Sequence, residues 1–162
     1  MKANETIRVL GKGLTAKAVK EKFPDSILYD DSDFDRCYDK NSNEPTVVSP
    51  GIPPLNDMVV NANNIISDYD LFSDTMPFSI WISGTNGKTT TTQMIQQLLE
   101  RRGSVCGGNI GTPVSLLDIN ANIWTLETSS CTMHYTKKAK PNLYILLPIS
   151  EDHISWHGSY EE

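Results

Sequence analysis

The chain has 162 residues, 38% of them hydrophobic, and a formal net charge of −6. That length holds one ordinary domain or two small ones; no stretch is long and apolar enough for a membrane span, and an acidic balance without a basic footprint argues against nucleic acid as a partner. The start Met1-Lys2-Ala3-Asn4-Glu5-Thr6 lacks the apolar core of a secretory signal, and three widely spaced cysteines, Cys37, Cys106 and Cys131, suit reduced thiols, so a cytoplasmic protein is expected.

In chain order, Thr6-Ile7-Arg8-Val9-Leu10 reads as a strand, Gly11 to Thr15 as a loop, and Ala16 to Lys22 as a short helix. Ser26-Ile27-Leu28-Tyr29 is the next strand and ends in Asp30-Asp31. The polar, acidic stretch from Ser32 to Glu44 is expected to be a loop with little regular structure. Thr46-Val47-Val48 is a third strand, closed by Ser49-Pro50-Gly51-Ile52-Pro53-Pro54. This resembles half of a Rossmann-type unit. Ala16 stands where the third glycine of a dinucleotide fingerprint would be, so a packed βα turn is an equal reading. An amphipathic stretch from Leu55 to Ala62, the apolar pair Ile65-Ile66 and the acids Asp68, Asp70 and Asp74 follow. A domain boundary is expected near Ser73 to Pro77, dividing the chain into residues 1–75 and 76–162.

Phe78-Ser79-Ile80-Trp81-Ile82-Ser83 reads as a buried strand. Gly84-Thr85-Asn86-Gly87-Lys88-Thr89-Thr90 comes straight after it, then a helix from Thr91 to Leu99 with Met94, Ile95, Leu98 and Leu99 on one face. Strand, glycine loop, Lys-Thr and helix form a phosphate cradle. Backbone N–H groups and the positive helix end point at an anion, Lys88 adds charge, and the Thr89 hydroxyl can hold Mg²⁺. The general phosphate loop has a glycine five residues before its Gly-Lys pair. Here that position is Ile82 and the first glycine is Gly84, so the loop is shorter.

Arg102-Gly103-Ser104 stops the helix, and Val105-Cys106 starts an extended piece leading to Gly107-Gly108-Asn109-Ile110-Gly111-Thr112-Pro113. Ile123-Trp124-Thr125-Leu126 is a strand ending in Glu127. The run from Leu143 to Leu147 is expected to be a parallel strand covered on both faces, leading to Glu151-Asp152-His153. Alternating strands and helices predict parallel α/β sheets. Lys88-Thr89, Glu127 and His153 all fall at or after strand C-terminal ends, where such sheets bind ligands, so they are expected to converge. Thr89 and Glu127 offer hard oxygens suited to Mg²⁺; His153 is a less usual ligand. His134 and His157 carry no such positional argument and are read as structural.

The segments Gly84–Thr90, Gly108-Asn109-Ile110-Gly111, Glu127-Thr128-Ser129-Ser130 and Glu151-Asp152-His153 with His157-Gly158 resemble, in order, the motifs of the Mur ligases, which build the peptide of bacterial peptidoglycan. Gly11 to Thr15 and Ser49-Pro50-Gly51-Ile52 are most similar to the D-glutamate-adding members. The resemblance implies an α/β fold, with a small Rossmann-like N-terminal domain followed by a P-loop-type parallel central domain. It implies an ATP-dependent reaction on UDP-N-acetylmuramoyl-L-alanine and D-glutamate by way of an acyl phosphate. Gly84, Thr85, Asn86, Gly87, Lys88, Thr89 and Thr90 would bind ATP. Leu14 and Thr15 would lie at the diphosphate and Asp30 and Asp31 near the uracil. Ser49, Pro50, Gly51, Asn109 and Ser129 would line the substrate. Thr89 and Glu127 would hold one Mg²⁺ and His153 a second, with Lys88 and His153 catalytic.

The sequence departs from the pattern at Cys131-Thr132, Pro148 and Ser155-Trp156, where the family usually has Phe-Gln, Asn and Asp-Arg. The family's metal-binding lysine, its adenine contacts and its C-terminal domain would fall beyond Glu162. The chain is therefore expected to be an inactive fragment of a protein that is a monomer at full length. The competing readings are a ligase for another amino acid, a folylpolyglutamate-type ligase, or a non-catalytic nucleotide-binding fragment.

Overall fold

The computed structural model describes residues 6–159. The stretch Met1–Glu5, read above for the lack of a signal, and residues 160–162 at the end of the expected second domain lie outside it. The fold is α/β, built on two four-stranded parallel sheets. No helix among the described residues is long and apolar enough to cross a membrane.

The first sheet comprises β1 (Arg8–Leu10), β2 (Ile27–Tyr29), β3 (Thr46–Val48) and β4 (Ile65–Ile66), in the order β2-β1-β3-β4. Both β1 and β3 are wholly buried, as parallel strands covered on two faces must be. Helix α1 (Leu14–Lys22) starts two residues before the predicted Ala16 and buries Ala16, Ala18 and Val19. The stretch from Ser32 to Glu44 differs from expectation. It contains a one-turn helix, α2 (Phe34–Cys37), because Phe34 is apolar enough to fold inward. Its ring stacks on Tyr38 at 4.5 Å and meets Tyr29 edge-on at 6.5 Å. The buried Arg8 guanidinium pins the rest of the stretch. It donates to the carbonyls of Asp39, Ser42 and Glu44 and lies 4.4 Å over the Tyr38 ring. A third helix, the single turn α3 (Asp57–Val60), is capped by Asn56, whose side chain accepts from the Met58 N–H at 2.9 Å.

The second sheet runs β6-β7-β5-β8, from β5 (Phe78–Ser83), β6 (Ser104–Gly108), β7 (Ile123–Glu127) and β8 (Leu143–Leu146). Its helices are α4 (Lys88–Leu99), α5 (Ser130–Tyr135) and α6 (Ile154–His157). Two expectations fail here. The face that α4 turns to the sheet is Thr92, Ile95, Gln96 and Leu99, while Met94 and Leu98 are exposed at 61% and 79%. Polar pairing replaces part of the expected apolar contact: Gln96 donates to the Ser104 carbonyl and accepts from the Ser104 hydroxyl, both at 2.7 Å. In addition, among the described residues β8 lies at the edge of the sheet, paired only with β5, and is not covered on both faces. Leu143, Tyr144 and Leu146 all remain exposed.

The connections from β5 through α4 to β6 and from β7 through α5 to β8 run in opposite directions across the sheet. Right-handed crossovers then place α4 and α5 on opposite faces, opening a crevice beyond the ends of β5 and β7.

A 3-10 turn, Asp68–Phe72, leads out of the first sheet yet packs in the core of the second. Tyr69 meets Trp81 edge-on at 4.9 Å, and Phe72 meets Trp124 at 5.6 Å. Asp70 is the anchor. It caps the turn at the Ser67 N–H and accepts from three successive N–H groups, Lys137, Lys138 and Ala139, at 2.7–2.8 Å. From the far side, the Tyr135 hydroxyl donates to the Ile52 carbonyl at 2.7 Å.

Replacing Asp70 by Ala strips four backbone donors of their acceptor, so Asp70→Ala is expected to lose about 3 kcal/mol, read from urea unfolding; a loss under about 1 kcal/mol would contradict the anchoring role. Asp68 behaves differently. Burial pushes its carboxyl up to about 6, opposed by hydrogen bonds from its own and the Tyr69 backbone and reinforced by the Asp70 charge. A carboxyl raised on folding holds its proton more tightly in the folded chain, so stability falls as pH rises from the ordinary carboxylate range through about 6. Asp68→Asn should flatten that fall and be the more stable protein at pH 7; an unchanged pH profile would contradict the assignment.

Candidate functional site

Beyond β5 the chain turns at Gly84, where φ is +133° and a Cβ would stand 2.7 Å from the Leu147 side chain. Only glycine fits this turn. Gly87, at φ +84°, then opens α4 with no side-chain cap, leaving first-turn N–H groups available to an anion. Lys88 lies across the loop, its ammonium donating to the carbonyls of Gly84 at 2.7 Å and Thr85 at 3.0 Å. Thr85 ties the loop to the segment after β8. Its hydroxyl donates to the Ser150 carbonyl at 3.0 Å and accepts from the Ser150 N–H at 2.9 Å, while its own N–H donates to Pro148.

The Glu127 carboxylate, 2% exposed, sits at the end of the neighbouring strand β7. Thr89 Oγ1 donates to its Oε2 at 2.7 Å, and the Asn109 amide donates to its Oε1 at 3.1 Å. The backbone around it is equally fixed. The Glu127 carbonyl accepts from the Asn109 N–H at 2.8 Å and from the Tyr69 hydroxyl at 3.2 Å. Gly108 passes so close that a Cβ there would stand 2.4 Å from the Glu127 carbonyl oxygen. Among the described residues no ion pair includes Glu127, so its charge is met only by neutral donors. A buried carboxylate in that state attracts a cation. The hydroxyl and carboxylate oxygens are the hard donors that Mg²⁺ prefers, so the residues fit such an ion.

A cavity of about 620 Å³ opens beside this node. It gathers the predicted residues Gly84, Thr85, Lys88, Asn109, Ser129 and His153 from the second sheet and Pro50 and Gly51 from the turn after β3 of the first. His153 is exposed, in the left-handed region at φ +52°, with its ring 3.7 Å from Asp152. Among the described residues no three His, Cys, Asp or Glu side chains are grouped as a metal site. Asn86, Gly87, Thr89, Thr90 and Glu127 lie next to the cavity rather than on its wall.

The remaining predicted residues stand at the strand ends of the first sheet. Leu14 and Thr15 start α1, with Leu14 80% exposed. Asp30 and the exposed Asp31 follow β2. Lys12 reaches over from the glycine loop to Asp30 at 2.7 Å and Asp33 at 3.0 Å. Hydrogen bonds from Lys12 and Ser32 hold the Asp30 carboxyl down at about 2. Ser49 is buried, and its hydroxyl lies where a Cβ at Gly11 would meet it, at 2.8 Å.

Sequence reasoning missed Tyr69, Ser130, His134 and His157. Tyr69 bonds Glu127 from 58 residues away, a relation no local pattern carries. Ser130, His134 and His157 all line the cavity, although the two histidines read as structural. The His157-Gly158 pair beside Asp152-His153 was the available signal.

Residues 82–162 match the Mur ligase middle domain. The chain is 47% identical to a UDP-N-acetylmuramoylalanine--D-glutamate ligase of Campylobacter jejuni, over 96% of this chain and 43% of that protein. It is 42% identical to the ligase of that name from Helicobacter pylori strain J99, over 90% of this chain and 36% of the relative. For the one from Buchnera aphidicola subsp. Acyrthosiphon pisum (strain Tuc7), the figures are 36%, 90% and 37%. The chain thus spans less than half the length of these curated relatives. With the match over its second half and the short glycine loop, Asn109 and Glu127 meeting at one node, the chain belongs to the Mur ligase family.

Proposed function

We propose that the chain is part of an ATP-dependent ligase that joins D-glutamate to UDP-N-acetylmuramoyl-L-alanine during peptidoglycan precursor synthesis, in the cytoplasm and with Mg²⁺. The observation that carries this reading is the 2.7 Å bond from Thr89 to the buried Glu127, at the mouth of a loop spanned by Lys88. The names of the similar ligases support the choice of substrates. In this reading residues 1–75 serve the UDP part of the substrate, through Leu14, Thr15, Asp30 and Asp31, and residues 76–162 serve ATP.

The backbone from Asn86 to Thr90 would take the β- and γ-phosphates, and the Lys88 ammonium would leave the carbonyls of Gly84 and Thr85 to neutralise them. Thr89 and Glu127 would hold one Mg²⁺, and His153, on the cavity wall, a second. Bound there, the metal would offset charge on the transferred phosphoryl group. Asn109, Ser129 and the Pro50–Gly51 turn would place the L-alanyl carboxylate near the loop. An oxygen of that carboxylate attacks the γ-phosphorus, the bond to the β-phosphate breaks, and ADP leaves. The D-glutamate amine then attacks the acyl carbon, phosphate leaves with the bonding pair, and the nitrogen loses a proton. Activation is needed because a carboxylate is a poor electrophile and phosphate a good leaving group.

Lys88→Ala should weaken ATP binding to the chain, measured by calorimetry with Mg²⁺ present, by about tenfold or more, equivalent to about 1.4 kcal/mol, with the fold intact by circular dichroism. Unchanged ATP affinity would count against the phosphate-cradle reading.

A further inference from the structure

Two adjacent serines open α5, and only one of them is free to meet a ligand. Ser129 is the cap: its hydroxyl oxygen accepts from the Thr132 N–H at 3.1 Å and pairs with the Thr132 hydroxyl at 3.0 Å. Ser130 is exposed on the cavity wall, its Oγ 2.9 Å from His157 Nε2. The other ring nitrogen, His157 Nδ1, is buried and has no hydrogen-bond partner among the described residues. Burying an unpaired N–H costs more than burying a bare ring nitrogen, so the proton belongs on Nε2, where it is donated to Ser130. With a donor already on its oxygen, the Ser130 hydroxyl keeps its own proton to donate. The Cys131 thiol is the local competitor for that proton: burial pushes the thiol up, a hydrogen bond from Ser130 opposes the shift, and a neutral sulfur is a weaker acceptor than a carboxylate oxygen.

The placement of this pair is set from both sides of the cavity. The His157 ring packs edge-on against Trp156 at 4.6 Å, and Trp156 against Tyr135 at 5.7 Å. The Tyr135 hydroxyl holds Ile52, one residue beyond the Pro50–Gly51 turn that also lines the cavity. The surroundings suit an anionic oxygen. Lys88 and Asn109 line the same cavity, and its one lining acid, Asp152, is turned to its neighbour His153 at 3.7 Å.

We propose that Ser130, oriented by His157, is the hydrogen-bond donor with which the cavity takes the carboxylate of the acceptor substrate before it is activated. Ser130 is the binding residue and His157 a positioning residue that acts through it. The assignment rests on the ligase reading above and sharpens where that reading holds its substrate.

The test is calorimetric titration of the 162-residue chain with UDP-N-acetylmuramoyl-L-alanine and, separately, with UDP, which lacks the carboxylate. Ser130→Ala should weaken the first ligand by about fivefold or more and leave UDP unchanged. His157→Leu should show the same selective loss. His157→Gln, whose amide nitrogen can still donate to Ser130, should recover most of it, which a purely structural role for the ring would not produce. The double variant Ser130→Ala, His157→Leu should be no weaker than either single change. Because the Ser130 side chain is exposed, Ser130→Ala remains informative even if His157→Leu unfolds. Wild-type affinity in Ser130→Ala, or equal loss for both ligands, would overturn the assignment alone. Failure of the unaltered chain to bind either ligand would overturn the ligase reading and the assignment with it.

Discussion

The short hydrogen bond from Thr89 to Glu127 is the contact on which the rest of the site depends. It joins the first residues of α4 to the end of β7 across the place where the sheet's connections diverge. A buried carboxylate is costly unless its lone pairs are met, and here each oxygen has a neutral donor, Thr89 on one and Asn109 on the other. The fold goes to some length to maintain this. Gly108 admits the close approach of the Glu127 carbonyl, and Tyr69 reaches in from the connecting turn to bond it. The result is a buried carboxylate at the edge of a glycine loop whose first-turn N–H groups carry no side-chain cap, an arrangement that favours a cation.

The cavity is equally a product of how the two sheets are joined. Asp70 gathers the N–H groups of residues 137–139 onto the connecting turn, and Tyr135 binds the Ile52 carbonyl. Helix α1 also packs on the 3-10 turn Val114–Leu116 of the second unit. Together these contacts bring the Pro50–Gly51 turn into one cavity lining with Lys88, Asn109 and His153. Thr85 adds a coupling within the second unit, since the glycine loop and the segment leading to His153 share three hydrogen bonds through it.

Elements with strong local signals were legible in the sequence. The strand Phe78–Ser83 and the glycine loop after it are where the apolar run and Gly84 place them, and Ile123–Glu127 ends on its carboxylate as read. The misreadings have physical causes. The Leu143–Leu147 run forms the parallel strand β8 as read, but among the described residues β5 is its one partner and the expected cover on both faces is not there. Met94 and Leu98 share a helical stripe with the half-buried Ile95 and Leu99, yet Gln96 bonding to Ser104 turns a polar position to the sheet. Phe34 makes a helical turn inside an acidic stretch through aromatic contacts that only the fold supplies. Within the site, the Ser129-Ser130 pair was legible as a motif, but which serine caps α5 depends on a bond to Thr132 and which faces the cavity depends on His157.

The central claim is that Thr89 and Glu127 act as one unit in holding a metal-bound nucleotide. A double-mutant cycle on Mg²⁺-dependent ATP binding tests it most directly, with Thr89→Val, Glu127→Gln and the pair compared by calorimetry at saturating Mg²⁺. The account predicts that each single change weakens binding by about tenfold or more and that the double variant is within about threefold of the weaker single one. Losses that simply multiply, or single variants that bind as the unaltered chain does, would contradict it.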